Sequence, residues 1–298
     1  MVFSSEREGA SADAPSVLRV ALAQVAPVLG NLSRNLAMHL ELIEAARRQH
    51  ADLIVFPELS LTGYFLRDMV PDLAISPTGP EILQLIEAAG PMSLVVGLVE
   101  ESPRHRFHNA ALYAEGGQVV HVHHKVYLPT YGLFDEQRYF APGERFMAFN
   151  TARFGRVGIL ICEDFWHLSA AAIMQAEEVD MLICTANSPA RGVDGPKVHT
   201  AETYEQISRA LAQMLGAVVI VVNRVGFEDG LCFWGGSMAI GPDGRTITQA
   251  PMLEKSLTIT TFDPAELRRQ RLITPLGRDE RLLVTIEELN RIKRRRYE

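Results

Sequence analysis

Three cysteines in 298 residues, Cys162, Cys184 and Cys232, are too few and too scattered for a disulfide framework, and no CxxC pair is present to hold zinc. Reduced thiols in a cytoplasmic setting are the simpler reading. Long apolar runs are missing as well. The strongest, Ala217 to Val222, falls far short of the roughly 20 residues a helix needs to span a bilayer, so no membrane partner is expected. Positive charge is in deficit: the formal net charge of -7 argues against a nucleic-acid partner. The basic run Arg291 to Arg296 reads as a solvated last helical turn, favoured by the helix dipole, in preference to a polyanion-binding tail. No GxGxxG loop opens a helix, which disfavours a dinucleotide site. The opening MVFSSEREGASADA lacks a basic start followed by an apolar core, so residues 1–15 read as a disordered tail and not as a signal peptide.

What is present fits a soluble globular protein, with 47% hydrophobic and 22% charged residues. The run LRVALAQV from Leu18 suits a strand buried on both faces. Asn31 then caps an amphipathic helix with Leu36, Leu40, Ile43 and Ala46 on one side, and Asp52 to Phe56 forms the next strand. A helix over 81–89, a strand over 94–99 and a hairpin through Gly116-Gly117 follow. The second half repeats the theme: strands over 155–161, 180–184 and 217–223, helices over 169–178 and 200–215, and a hairpin through Gly241 to Gly244. Strand–helix–strand in both halves points to an α/β fold with pseudo-twofold symmetry. No linker divides it, so one domain is expected over 16–262. A C-terminal extension over 263–298 carries Leu282, Ile286, Leu289 and Ile292 at helical spacing.

Reactive groups in α/β proteins collect where strands give way to loops. Cys162 directly follows the strand GRVGILI and precedes Glu163 and Asp164, whereas Cys184 and Cys232 sit in apolar runs. It is a candidate nucleophile or a buried cysteine at a strand end. Glu58, after LIVFP, is a candidate base or a solvated loop carboxylate. Lys125 lies in the apolar and aromatic stretch VVHVHHKVYLP, either as an edge-strand gatekeeper or as a cation facing a pocket. His121 and His123 share one strand face and His124 the other, so they do not form a metal cluster, and no metal or cofactor is expected.

Phe56-Pro-Glu-Leu-Ser-Leu-Thr-Gly-Tyr64, His124-Lys-Val-Tyr-Leu-Pro129 and Ile159-Leu-Ile-Cys-Glu-Asp164 together resemble the Glu, Lys and Cys motifs of the nitrilase, or carbon–nitrogen hydrolase, superfamily. The resemblance runs from about Leu18 to about Thr261. It implies an αββα sandwich that pairs into αββα–αββα, with Cys162 as nucleophile, Glu58 as general base and Lys125 as stabiliser of the tetrahedral intermediate. Glu136 matches a second glutamate of the family. A free thiol is mostly protonated at neutral pH and needs a base or a nearby cation; Lys125 is expected to favour the thiolate.

Tyr131-Gly-Leu-Phe-Asp-Glu-Gln-Arg-Tyr-Phe140 and Cys162-Glu-Asp-Phe-Trp166 are most similar to the glutaminase domain of glutamine-dependent NAD synthetases. That likeness implies substrate contacts from Tyr64, Tyr131, Phe134 and Glu163. The Ser-Gly-Gly-x-Asp-Ser loop of the synthetase part is not found, so these residues are not expected to make NAD by themselves. Ala186-Asn-Ser-Pro-Ala-Arg-Gly192 departs from the synthetase-type loop; Ser188 and Arg191 are candidates for binding a substrate carboxylate, or members of a structural turn. The expected activity is hydrolysis of a small carboxamide with release of ammonia. A nitrilase or N-carbamoyl amide hydrolase is the alternative within the same chemistry, and an ammonia-supplying glutaminase subunit for a separate synthetase is one of another class. The late apolar stripe points to a homodimer or higher homo-oligomer, with 263–298 at the contact.

Overall fold

The computed structural model describes residues 17–195 and 197–297. The tail expected over 1–15 lies outside the described residues. The first half runs β1 (Leu18–Gln24), α1 (Leu32–Arg48), β2 (Leu53–Val55), α2 (Val70–Leu73), α3 (Pro80–Ala89), β3 (Ser93–Glu101), β4 (Phe107–Glu115) and β5 (Gln118–His124). The second runs β6 (Ala148–Asn150), β7 (Arg156–Ile161), α4 (Leu168–Ala176), β8 (Met181–Ala186), β9 (Val193–Asp194), β10 (Lys197–Val198), α5 (His199–Leu215) and β11 (Val218–Asn223). Then come β12 (Val225–Glu228), β13 (Leu231–Trp234), β14 (Met238–Ile240), β15 (Thr246–Gln249), β16 (Ser256–Phe262), α6 (Pro264–Ile273), α7 (Leu276–Asp279) and α8 (Leu282–Tyr297).

Two six-stranded sheets carry the fold, in the orders β16-β1-β2-β3-β4-β5 and β6-β7-β8-β11-β14-β15. Read in those directions, both show the same succession of pairings: antiparallel, parallel, parallel, antiparallel, antiparallel. The pseudo-twofold expected from the repeated strand–helix–strand is therefore present in the hydrogen bonding. The parallel strands are apolar on both faces because both faces are covered. Val20, Leu22, Val55 and Val95 of the first sheet join Val157, Ile159 and Val219 of the second in one core. The outer face of the first sheet packs Ile54, Leu94 and Val96 against Ile43 of α1 and Ile82 and Leu85 of α3. On the far side of the second sheet, α4 and α5 contribute Met174, Tyr204 and Leu211. The result is the helix–sheet–sheet–helix sandwich.

Asn31 caps α1 as its sequence position requires, with Oδ1 accepting from the Arg34 amide. The inner face of α1 also holds two polar residues that hydrophobic periodicity does not pick out. Asn35 bonds the Val28 amide and the carbonyls of Val28 and Leu61, and the His39 ring meets Ser60 Oγ at 2.9 Å and stacks on Phe56. These contacts brace the loop that follows β2. The C-terminal α6 is tied to the second sheet by Arg271, which donates to Asp180 Oδ1 and to the carbonyls of Val179 and Gly216. No residue of α8 is buried. Among the described residues, no helix is long and apolar enough to cross a membrane.

Candidate active site

The exits of β2, β5 and β7 converge. Lys125 Nζ, fully buried, donates to Glu58 Oε1 at 2.8 Å and to Glu136 Oε1 at 2.6 Å. Glu58 also accepts from Asn109 Nδ2 (2.7 Å) and from the Asn187 amide (2.8 Å), while Asn187 Nδ2 donates back to the Glu58 carbonyl. Glu58 leaves β2 and Asn187 leaves β8, which the pseudo-twofold makes equivalent strands. This reciprocal pair stitches the two sheets together at the site. These donors fix both carboxylate oxygens of Glu58 in a place with almost no solvent.

The loop carrying Glu58 lies flat against β3. Leu61 N donates to the Gly97 carbonyl, and Gly97 N donates to Ser60 Oγ. A Cβ at Gly97 would stand 2.4 Å from Leu59 N and 2.5 Å from the Pro57 carbonyl oxygen, so only glycine permits this approach.

Cys162 opens a 3-10 turn, Cys162–Trp166, and its φ of 47° lies in the left-handed region that non-glycine residues seldom occupy. The turn is held by Asp164. Its Oδ1 accepts from the amides of Val126 and Tyr127, and its Oδ2 accepts from Ile161 N and meets His123 Nε2 at 2.9 Å. One buried carboxylate thus fixes the Cys162 turn to the segment bearing Lys125. Cys162 Sγ lies 3.4 Å from the Tyr204 hydroxyl of α5.

Electrostatics keep the resting thiol neutral. Burial, and then the negative charge of Glu58, push the Cys162 thiol well up, and Lys125 opposes them without prevailing. Lys125 pulls the thiol in the direction expected of it, but burial and Glu58 together outweigh that pull. Burial alone would lower the Lys125 ammonium, but Glu136 and Glu58 outweigh it and hold the group charged. Glu136 is pushed up to about 7, by burial first, with Lys125 pulling it down and Glu58 pushing it up. Its Oε1 is bonded to the Tyr64 hydroxyl, and its Oε2 has no partner among the described residues.

Of the residues expected to contact substrate, the structure brings several together. The Tyr131 hydroxyl donates to both carboxylate oxygens of Glu163 (3.0 and 2.9 Å). Phe134 meets Tyr64 and Tyr131 edge-on, and the Arg191 guanidinium lies over the Phe134 ring at 5.3 Å. Arg191 Nε is buried without a partner among the described residues. Ser188 differs: it is buried, its amide donates to Asn223 Oδ1, and its Oγ accepts from Trp234 Nε1. Those bonds give Ser188 a structural post. The three histidines part ways, with His121 stacked on Phe149, His123 hydrogen-bonded to Asp164, and His124 bonded to Glu100 and stacked on His108. Asn109, Asp164, Asn187 and Tyr204 are members of the cluster that sequence reasoning passed over. A polar Asn109 inside the apolar run FHNAALYA was the available signal.

Residues 19–272 match the family described as carbon-nitrogen hydrolase, and the chain belongs to it. A relative, the glutamine-dependent NAD(+) synthetase of Acinetobacter baylyi, is 32% identical over 257 residues, covering 86% of this chain and 46% of that protein. The chain spans about half the length of the curated relatives it matches. Among solved structures, the glutamine-dependent NAD+ synthetase of Acinetobacter baumannii superposes with a TM-score of 0.75 at 31% identity, over 84% of this chain and 46% of that one. A carbon-nitrogen hydrolase from Helicobacter pylori G27 has the same fold, with a TM-score of 0.79 at 23% identity over 92% of this chain and 98% of that one.

Proposed function

We propose that the chain hydrolyses the C–N bond of a small linear carboxamide through a thioester on Cys162, releasing ammonia. The observation that carries this reading is the buried cluster in which Lys125 bridges Glu58 and Glu136 beside a strained cysteine. Glu58 Oε2 accepts one hydrogen bond, from the Asn187 amide, and keeps a lone pair for the thiol proton. Sulfur attacks the amide carbon as that proton moves to Glu58. Lys125 has three N–H donors and spends two on the carboxylates, so the third is free for the developing oxyanion, with a backbone amide near Glu163 as its partner. Glu58 returns the proton to the leaving nitrogen as the C–N bond breaks. Water then loses a proton to Glu58, adds to the thioester carbon and expels sulfur, which takes the proton back.

Tyr131, Phe134, Glu163 and Arg191 supply a wall with an anionic and a cationic end joined by aromatic faces. That wall suits a zwitterionic amide of the glutamine type, for which Glu163 would hold the α-amino group. The likeness to synthetases supports a second reading, in which the ammonia serves a separate synthetase. Ammonia release by the isolated chain from glutamine, aliphatic amides, N-carbamoyl amides and nitriles is the test, with mass spectrometry of the trapped adduct. A thioester on Cys162 with glutamine supports the first reading. Activity that appears only with a synthetase added supports the second. No adduct with any of the panel, with or without a synthetase, overturns both.

A further inference from the structure

The Tyr204 hydroxyl has no place in the scheme above, yet it lies 3.4 Å from the reacting sulfur. Tyr204 is 1% exposed and comes from α5, on the far side of the second sheet from Glu58 and Lys125. Its ring is fixed on three sides, parallel to Phe165 at 6.0 Å, edge-on to Trp166 at 5.3 Å and tilted against Trp234 at 5.9 Å. A phenol buried this way keeps its proton, so it meets a sulfur anion as a donor. Glu58 and Lys125 serve the proton and the substrate oxygen; among the described residues, Tyr204 makes the one side-chain hydrogen bond to sulfur.

We propose that Tyr204 is a catalytic residue that donates a hydrogen bond to Cys162 Sγ whenever the sulfur carries negative charge. Two moments qualify. In the first, the S–H bond breaks, its proton goes to Glu58 and the electron pair forms the S–C bond. In the second, the C–S bond of the tetrahedral adduct breaks and the pair returns to sulfur before the proton arrives. A charge-assisted bond in a dry site strengthens at both moments and weakens in the neutral thiol and thioester. The inference rests on the hydrolase reading for its role in turnover, but the thiolate contact is measurable without any substrate.

The test is the pH dependence of iodoacetamide alkylation of Cys162, read by mass spectrometry of its peptide, in wild type and Tyr204→Phe. The phenylalanine keeps the ring contacts and removes the hydroxyl alone. At each pH where the thiol is still mostly protonated, the alkylation rate should fall about tenfold, and kcat should fall about ten- to hundredfold with little change in KM. Replacement of Tyr204 by a fluorotyrosine, whose hydroxyl is a stronger donor, should raise the alkylation rate. A wild-type alkylation profile in Tyr204→Phe, or no opposed change in rate in the fluorotyrosine protein, would overturn the proposal. Failure of every amide to turn over would overturn the hydrolase reading and leave the alkylation result intact.

Discussion

At the scale of single residues, the site is a contest between burial and pairing. Cys162 and Cys184 are both buried thiols raised by burial and by Glu58; only Cys162 also feels Lys125 and stands at a strand exit. Cys162→Ala should lower turnover by at least about 10⁴-fold, while Cys184→Ala, in the middle of β8, should change thermal stability alone. Retained turnover in Cys162→Ala would remove the thioester from the mechanism. Glu136 offers a pH test with a defined sign. Its folded value, about 7, lies above the ordinary 4.5, so between these values the native state binds more protons than the unfolded chain. Stability contributed at this position is therefore lost as pH rises from about 4.5 to about 7. The stability of wild type minus that of Glu136→Gln should fall across this window and level off on either side. A difference that rises instead would mean that pairing with Lys125 outweighs burial. The residues at this scale were unevenly legible. Glu58, Lys125 and Cys162 stand out because each is charged or reactive at the end of an apolar run. Asp164, Asn187 and Tyr204 do not, because the partners that bring them to the site are 37 to 129 positions away.

Among the secondary-structure elements, the sequence pattern located the parallel strands of both sheets and the helices that cover them, since parallel strands buried on both faces must be continuously apolar, but it passed over β6, β9, β10, β12, β13, β16, α2, α6 and α7. It misjudged ends. The strand expected to contain Lys125 stops at His124, and Lys125 begins the loop that Asp164 holds. Backbone approach was also hidden in the sequence: Gly97 in SLVVGLVEE reads as a weak spot in β3, when it is the floor beneath the Glu58 loop. Gly97→Ala tests that role. Its Cβ would press on backbone atoms at 2.4 to 2.8 Å, which a flexible side chain cannot relieve. The expected cost is about 1–3 kcal/mol in stability. Displacing Glu58 by about 1 Å should lower kcat by roughly 10²-fold. Chemical denaturation and steady-state kinetics check the two effects together. An alanine variant with wild-type kcat would show that the loop is positioned by Asn35 and His39 alone.

At the scale of the whole molecule, the pseudo-twofold explains why the site lies where it does: matched strand exits from both sheets meet there, as Glu58 and Asn187 show. The sandwich closes on itself without the C-terminal helices. α6 is anchored through Arg271, but α8 leaves Leu282, Ile286 and Leu289 of the expected stripe between 44% and 61% exposed, with Ile292 half-buried. Fully burying such side chains is worth about 1.5–3 kcal/mol each, so the stripe favours a second copy that covers it. A twofold pairing would let each copy bury the other's stripe. We expect a dimer or larger assembly at micromolar concentration, measured by light scattering. The double variant I286E/L289E places charges on the stripe at positions already exposed in the subunit, so the fold should persist while the assembly falls apart. Deletion beyond Asp279, which keeps α6 and its Arg271 anchor, should do the same. A wild-type monomer, or a double variant that still associates, would show that α8 is not the contact.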